Sequence, residues 1–292
     1  MTGHTWRYVD GVDAFLDRAG TFLHARPALH TVFLTVTEAL RTRGPYVYGD
    51  EAPVFGVLEG TKGEVGAAFF RTPPQRLTLT PLAKERTGTL ARWLAEAGHP
   101  LPGVSADRAT AEAFTEAWRH ATGATATLHR SQRLYRLGTL TPPRPAPLGR
   151  ARIATARDRD HLARWHVEFA ESVGAAPQRD PGAWVDARLA HDGLTLWETP
   201  DGTPVAMAGG TPQVAGQVRV APVYTPAPLR GRGYAGAVTA EVSRAAVAKG
   251  AEEVLLFTDL ANPTSNGLYR RIGYEPVRDF AVYDFDGPGP GR

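Results

Sequence analysis

Apolar residues in the first forty positions recur every three or four residues. Val12, Phe15, Leu16, Ala19 and Leu23 fall on one helical face, as do Leu29, Val32, Phe33, Val36 and Leu40. The period then shortens, and segments 53–59, 64–71 and 76–80 are expected as strands. A helix is expected over 82–97, stopped by Gly98 and Pro100. After a short apolar piece around Val104, a helix is expected over 107–122 with Asp107 as its N-cap, then a strand over 125–137.

Four prolines within 142–147 (Pro142, Pro143, Pro145 and Pro147) exclude both a helix interior and a central strand there. That stretch predicts a stiff extended linker over 139–149, dividing the chain into domains at 1–138 and 150–287. The second half repeats the first in outline. A strand is expected at 152–154, then a helix from Asp158 or Asp160 and another over 183–191. Strands over 194–198, 204–210 and 217–225 lead to a long helix over 233–249 that ends at Gly250. Val254-Leu255-Leu256-Phe257 reads as a strand buried on both faces, followed by a short helix over 262–271 and a strand over 276–285. The fold class is therefore α/β (α+β), with two domains of similar element order and helices flanking a sheet in each.

Composition narrows the chemistry. Without a cysteine there is no disulfide scaffold, thiolate metal site or cysteine nucleophile. No apolar run approaches the roughly 18 residues of a membrane span, and the first ten residues lack a signal-peptide core, so a cytoplasmic protein without membrane association is expected. Residues 1–145 hold 17 Lys/Arg and 13 Asp/Glu, whereas residues 146–292 hold 16 and 17. No basic stripe follows from such even counts, which argues against a nucleic-acid partner. The nine histidines make no HxxxH pair, and His161 and His166 stand five apart; no metal is expected.

The segment Val223-Tyr224-Thr225-Pro226-Ala227-Pro228-Leu229-Arg230-Gly231-Arg232-Gly233-Tyr234-Ala235-Gly236 carries the chemistry. A strand enters a glycine-rich turn that opens a long helix, leaving unpaired N–H groups at the positive end of the helix dipole. Such a terminus holds a phosphate readily, and Arg230 and Arg232 can add charge-assisted bonds. A triphosphate loop needs Lys-Ser/Thr after its glycines, where Tyr234-Ala235 stand instead. Gly231-x-Gly233-x-x-Gly236 fits the dinucleotide fingerprint in letters, with Asp259 further on. Pro226–Leu229 separate it from its strand, however, and too little chain follows for a doubly wound sheet.

Arg230-x-x-Gly233-x-Ala235 resembles the Arg/Gln-x-x-Gly-x-Gly/Ala signature of the GNAT acyltransferase superfamily. One strand later, Asn262, Tyr269, Gly273 and Tyr274 resemble the family's Asn-x₆-Tyr-x₃-Gly-Phe/Tyr pattern. The resemblance covers residues 150–286 and is similar to an actinobacterial-type tandem subgroup. It implies a mixed, mostly antiparallel sheet in which strands 217–225 and 254–259 are parallel neighbours that splay apart. Acetyl-CoA is the implied co-substrate. Its pantetheine arm would pair with the backbone of Val223, Tyr224 and Thr225, and its pyrophosphate with the N–H groups from Gly231 through Gly233, Tyr234 and Ala235 to Gly236. Asn262 and Ser265 would line the pantetheine, and Tyr269 would be the general acid toward the departing thiolate.

An amine, on a small molecule or a peptide, is the implied acceptor, attacking the thioester directly while a backbone N–H near Tyr224 polarises the carbonyl. Some relatives carry a glutamate as base where Phe257 stands here; Asp259, Glu198, Glu168, Glu171 or a water chain are the remaining candidates. Both signatures are missing from the first half, where Pro81–Gly88 offers one late glycine. A degenerate GNAT-like domain is expected there, walling the acceptor pocket or forming a homodimer surface. A non-catalytic acyl-CoA-binding sensor is the alternative reading.

Overall fold

The computed structural model describes residues 3–98, 100–174 and 180–287. The first half runs β1 (Thr5–Val9), α1 (Val12–His24), α2 (Thr31–Arg43), β2 (Val54–Glu59), β3 (Val65–Arg71), β4 (Leu77–Leu79), α3 (Lys84–Glu96), β5 (Gly103–Asp107), α4 (Arg108–Thr122) and β6 (Thr125–Leu137). The second runs β7 (Arg150–Ile153), α5 (Arg159–Ser172), α6 (Pro181–Leu189), β8 (Leu194–Glu198), β9 (Pro204–Gly210), β10 (Gln217–Tyr224), α7 (Tyr234–Ala248), β11 (Glu253–Asp259), α8 (Pro263–Arg271) and β12 (Tyr274–Asp286). Both halves share one order: strand, two helices, three strands, helix, strand, helix, strand.

β1 is the element that the sequence pattern did not reveal. Only Trp6 and Val9 of its five residues are buried, so alternation is faint. As an edge strand it is fixed by pairing antiparallel to β2, from Thr5 opposite Glu59 to Val9 opposite Phe55.

The chain forms two compact units. The first comprises Met1–Leu134, Asp259–Ala261 and Val277–Arg292; the second comprises Tyr135–Thr258 and Asn262–Pro276. In the first, β1 to β4 pair antiparallel, β4 and β5 pair parallel, and β12 lies antiparallel to β5 from Phe280–Asp107 to Asp284–Gly103. Phe285 stacks on Trp118 and Phe114 of α4, with ring centroids 6.0 and 6.5 Å away, and joins the core with Trp6, Phe69 and Leu90. Asp107 stands at the N-cap of α4, but its side chain makes no capping bond and is buried at the end of β5, with Oδ2 unpartnered. Membership of the strand orients that carboxylate, not the helix it precedes.

In the second unit, β7 to β10 pair antiparallel in sequence order and β10 pairs parallel with β11. Strand alternation sends side chains to two cores. Ala206, Ala208, Val218 and Val220 pack with Val238 and Val242 of α7 and with Tyr269 of α8. Leu194, Leu196, Met207 and Tyr224 pack on the opposite face with Leu162 and Trp165 of α5 and Val185 of α6. Val254, Leu255 and Leu256 are all at most 2% exposed, which explains the unbroken apolar run of β11. α7 ends in a Schellman arrangement: Gly250 takes φ +89°, and the Ala251 N–H donates to the Ala246 carbonyl. Asp180 caps α6, its Oδ1 accepting from the Ala183 N–H at 2.8 Å.

The chain forms no helix or strand between Gly138 and Gly149. The Gly138 and Thr141 N–H groups donate to Gly273 and Ile272, and Trp197 Nε1 donates to the Leu148 carbonyl.

Candidate active site

The β10–β11 ladder holds only from Gln217–Glu253 to Arg219–Leu255. Beyond it β10 runs on to Tyr224 and β11 to Asp259 without pairing to each other. On its other edge β10 has an irregularity against β9 between Val220 and Val223, where the register slips. A bulge turns the strand away from its neighbour, and Pro222, which lacks an N–H, sits inside this one. The outcome is a stretch of backbone, Val223–Thr225, open on the β11 side. The Thr225 hydroxyl beside it is buried and has no protein partner.

The chain then passes a short 3₁₀ turn (Ala227–Leu229) and reaches the start of α7. Gly231 has φ +78° and Gly233 φ +83°, conformations that favour glycine. A Cβ on Gly231 would meet open space, whereas one on Gly233 would come 3.9 Å from Pro147. Gly236 does a different job, because a Cβ there would press within 2.9 Å of Leu268 on α8. Its bareness lets α7 and α8 pack. The first intrahelical bond is from Ala237 to Gly233, so the N–H groups of Tyr234, Ala235 and Gly236 have no helical acceptor. Both arginines brace the loop: Arg230 Nε donates to the Thr225 carbonyl at 3.0 Å and Arg232 Nη2 to the Pro228 carbonyl at 3.3 Å.

Asn262 caps α8, its Oδ1 accepting from the Ser265 N–H at 3.0 Å, and its carbonyl receives Asn266 Nδ2. That cap fixes the helix start and aims Tyr269, two turns on, into the core of the second unit. Tyr269 lies edge-on to Tyr274, and burial pushes its hydroxyl up to about 12. It therefore stays protonated through the physiological range. No partner for that hydroxyl occurs among the described residues, whereas the Tyr274 hydroxyl is 2.7 Å from Ser243 Oγ.

Sequence reading missed Tyr135, whose hydroxyl donates to Asn266 Oδ1 at 2.9 Å and steadies α8. It is fully buried on β6, far away in sequence, and no local pattern marks it. The carboxylate candidates separate. Glu198 is held by Arg152, which also grips Asp158 at 2.7 and 2.8 Å. Asp158 is drawn down to about 2 by that guanidinium and by the Thr155 backbone N–H, against the opposing cost of burial. Asp259 Oδ1 accepts the Ala261 N–H, a turn at the end of β11. Glu171 is exposed on α5. Glu168 accepts a hydrogen bond from the Tyr224 hydroxyl at 2.7 Å. Among the described residues no three His, Asp or Glu side chains gather as metal ligands, and no helix is long and apolar enough to cross a membrane.

A strand that parts from its parallel neighbour, followed by a glycine-built helix start, is the frame that the two sequence signatures imply. The family profile described as "Acetyltransferase (GNAT) family" matches residues 159–274, a span that includes both signatures. Residues 159–274 thus match a GNAT acetyltransferase domain. Solved structures agree at the level of fold. A GCN5-related N-acetyltransferase from Sphaerobacter thermophilus is 21% identical, with TM-score 0.60 over 92% of this chain and 95% of its own. A Drosophila protein is 14% identical, with TM-score 0.65 over 97% and 99%. A tandem GNAT protein from the clavulanic acid biosynthesis pathway is 12% identical, with TM-score 0.57 over 99% and 100%. No curated protein matches the chain. The GNAT domain thus supplies the α/β sheet with its flanking helices, and the residues at the β10 opening are those available for its chemistry.

Proposed function

We propose that the second half of the chain binds acetyl-CoA and transfers its acetyl group to an amine. The observation that carries this reading is the early end of the β10–β11 ladder. It leaves the Val223–Thr225 backbone open immediately before a helix start with unpaired N–H groups. The open space at Gly231 and the orphaned Thr225 hydroxyl fit a phosphate-bearing ligand with an amide arm. Gly231 to Gly236 would hold the pyrophosphate, Val223 to Thr225 the arm, and the amide nitrogen of Asn262, with Ser265, the arm's far side. The coenzyme supplies an acyl thioester whose thiolate has a pKa near 8.5.

Tyr269, protonated up to about 12, gives its proton to the departing sulfur. A backbone N–H near Tyr224 polarises the carbonyl. The first half has the same element order and an equally short β4–β5 ladder, Leu77–Val104 and Thr78–Ser105, but the chain beyond β4 is closed by a side chain. There the Leu82 N–H donates to Thr110 Oγ1 at 2.9 Å, and that hydroxyl donates back to the Leu82 carbonyl, tying the segment after β4 to α4. This supports a GNAT-like fold without a coenzyme site in that half.

Titration with acetyl-CoA by calorimetry, followed by thiol release with a panel of amines, tests the proposal. Binding with release supports a transferase. Binding with no release from any amine would make the protein a sensor, and no binding would end both readings.

A further inference from the structure

β6 is the last strand of the first half, yet its end from Tyr135 onward belongs to the second unit. That end, with the chain after it, holds α8 on both sides. Behind the helix, the Gly138 N–H donates to the Gly273 carbonyl at 2.9 Å and the Thr141 N–H to the Ile272 carbonyl at 3.0 Å. Gly273 takes φ +102°, and a Cβ on it would clash with the Thr139 carbonyl. The glycine that follows Tyr269 in the second signature is therefore required by the passage of this segment. At the front of the helix the link is made by side chains. Tyr135 is fully buried, and its hydroxyl donates to Asn266 Oδ1 at 2.9 Å. Asn266 Nδ2 donates in turn to the Asn262 carbonyl at 2.7 Å, while Asn262 Oδ1 accepts the Ser265 N–H. An amide has one accepting oxygen and one donating nitrogen. Turning the Asn266 amide over would set its oxygen against the Asn262 carbonyl, so Tyr135 and Asn262 together fix a single orientation.

With Oδ1 committed to the cap, the Asn262 Nδ2 group is what remains for a ligand. Its place depends on the Asn262 backbone, and Asn266 holds that backbone. We infer that Tyr135 is a positioning residue for acetyl-CoA, acting through Asn266 to hold Asn262 in place for the pantetheine arm. The inference rests on the acetyl-CoA binding proposed above. Tyr135 packs in the core with Ile272 and Tyr274 and acts only through the two amides. A residue of this kind contributes to holding the coenzyme and not to the transfer step. Its loss should therefore appear in coenzyme affinity, with turnover at saturation preserved.

Tyr135→Phe keeps the ring in the core and removes the hydroxyl alone. Acetyl-CoA affinity by calorimetry should weaken roughly three- to tenfold, the worth of one hydrogen bond. With any competent amine, kcat at saturating acetyl-CoA should stay within about twofold of wild type. In the ligand-free protein, hydrogen exchange at the Ser265 amide should quicken by roughly three- to tenfold while the α7 amides keep their rates. Asn266→Ala, at a partly exposed side chain, should weaken affinity at least as much. Adding Tyr135→Phe to it should then cost less than about twofold more, because the link is already broken. Unchanged affinity in either single variant, losses that multiply in the double variant, or a fall in kcat with affinity intact would overturn the inference. If Tyr135→Phe does not fold, Asn266→Ala decides alone, and unchanged affinity or unchanged Ser265 exchange there overturns it. A wild type that binds no acetyl-CoA would instead refute the reading on which the inference stands.

Discussion

Tyr269 and Tyr274 sit a few ångströms apart in one core and differ in a single respect. Tyr274 shares a hydrogen bond with Ser243, whereas among the described residues the Tyr269 hydroxyl has no protein partner. Tyr269→Phe should therefore change stability by less than about 1 kcal/mol, because no protein bond is lost. Turnover should drop by roughly 10²–10⁴ in kcat, with KM for acetyl-CoA nearly unchanged. Steady-state kinetics on any competent amine decide the matter, and a mutant with wild-type kcat would remove Tyr269 from the mechanism. Tyr269 was legible from its spacing after Asn262. Tyr135 was not, since its value lies in one contact made across 131 residues.

At the scale of elements, two junctions set the site. The first is the loop into α7. Gly233→Val should abolish acetyl-CoA binding, because a β-branched residue at φ +83° is strained and would thrust its side chain toward Pro147 and over the N–H cluster. Calorimetry beside a circular-dichroism melt separates lost binding from lost folding; unchanged affinity would mean the loop is only a turn. The second junction is β7 into α5, where Arg152 holds Asp158 and Glu198. Asp158 has a folded value of about 2 against the 3.8 of an unperturbed aspartate, so its ionised form is the one favoured by folding. That contribution is complete above about pH 5, declines as pH falls through the folded value, and is absent below it. Asp158→Asn should lower stability at pH 7 by about 2 kcal/mol, between the values for surface and buried pairs, or roughly 4–8 °C in Tm. The gap between variant and wild type should close as pH falls from 4 to 2, which thermal melts across that range will show. A gap independent of pH would mean that the carboxylate's charge is not what matters.

At the scale of the whole molecule, the two halves share one element order but differ at one place in it. The segment after β4 is tied to α4 by Thr110, whereas the segment after β10 stays open. Hydrogen exchange with acetyl-CoA should protect 223–236 and 262–270 and leave 76–95 unchanged; protection in 76–95 would refute the degenerate first half. The sequence by itself determined most of this architecture. Long helices and alternating strands announce themselves because a helix or strand that buries one face must repeat its apolar residues at a fixed period, and both coenzyme signatures are local because one loop and one helix start make each of them. Tertiary structure decided the rest. The edge strand β1, with two buried residues of five, exists because β2 pairs with it. Val277–Arg292 joins the first unit because β5 offers a free edge and Phe285 meets Trp118 there, which no period within the strand could specify. Glu168 was one of several carboxylates in the sequence. Only the fold brought the hydroxyl of Tyr224 to it, since a pairing between residues 56 apart depends on how α5 lies across the sheet.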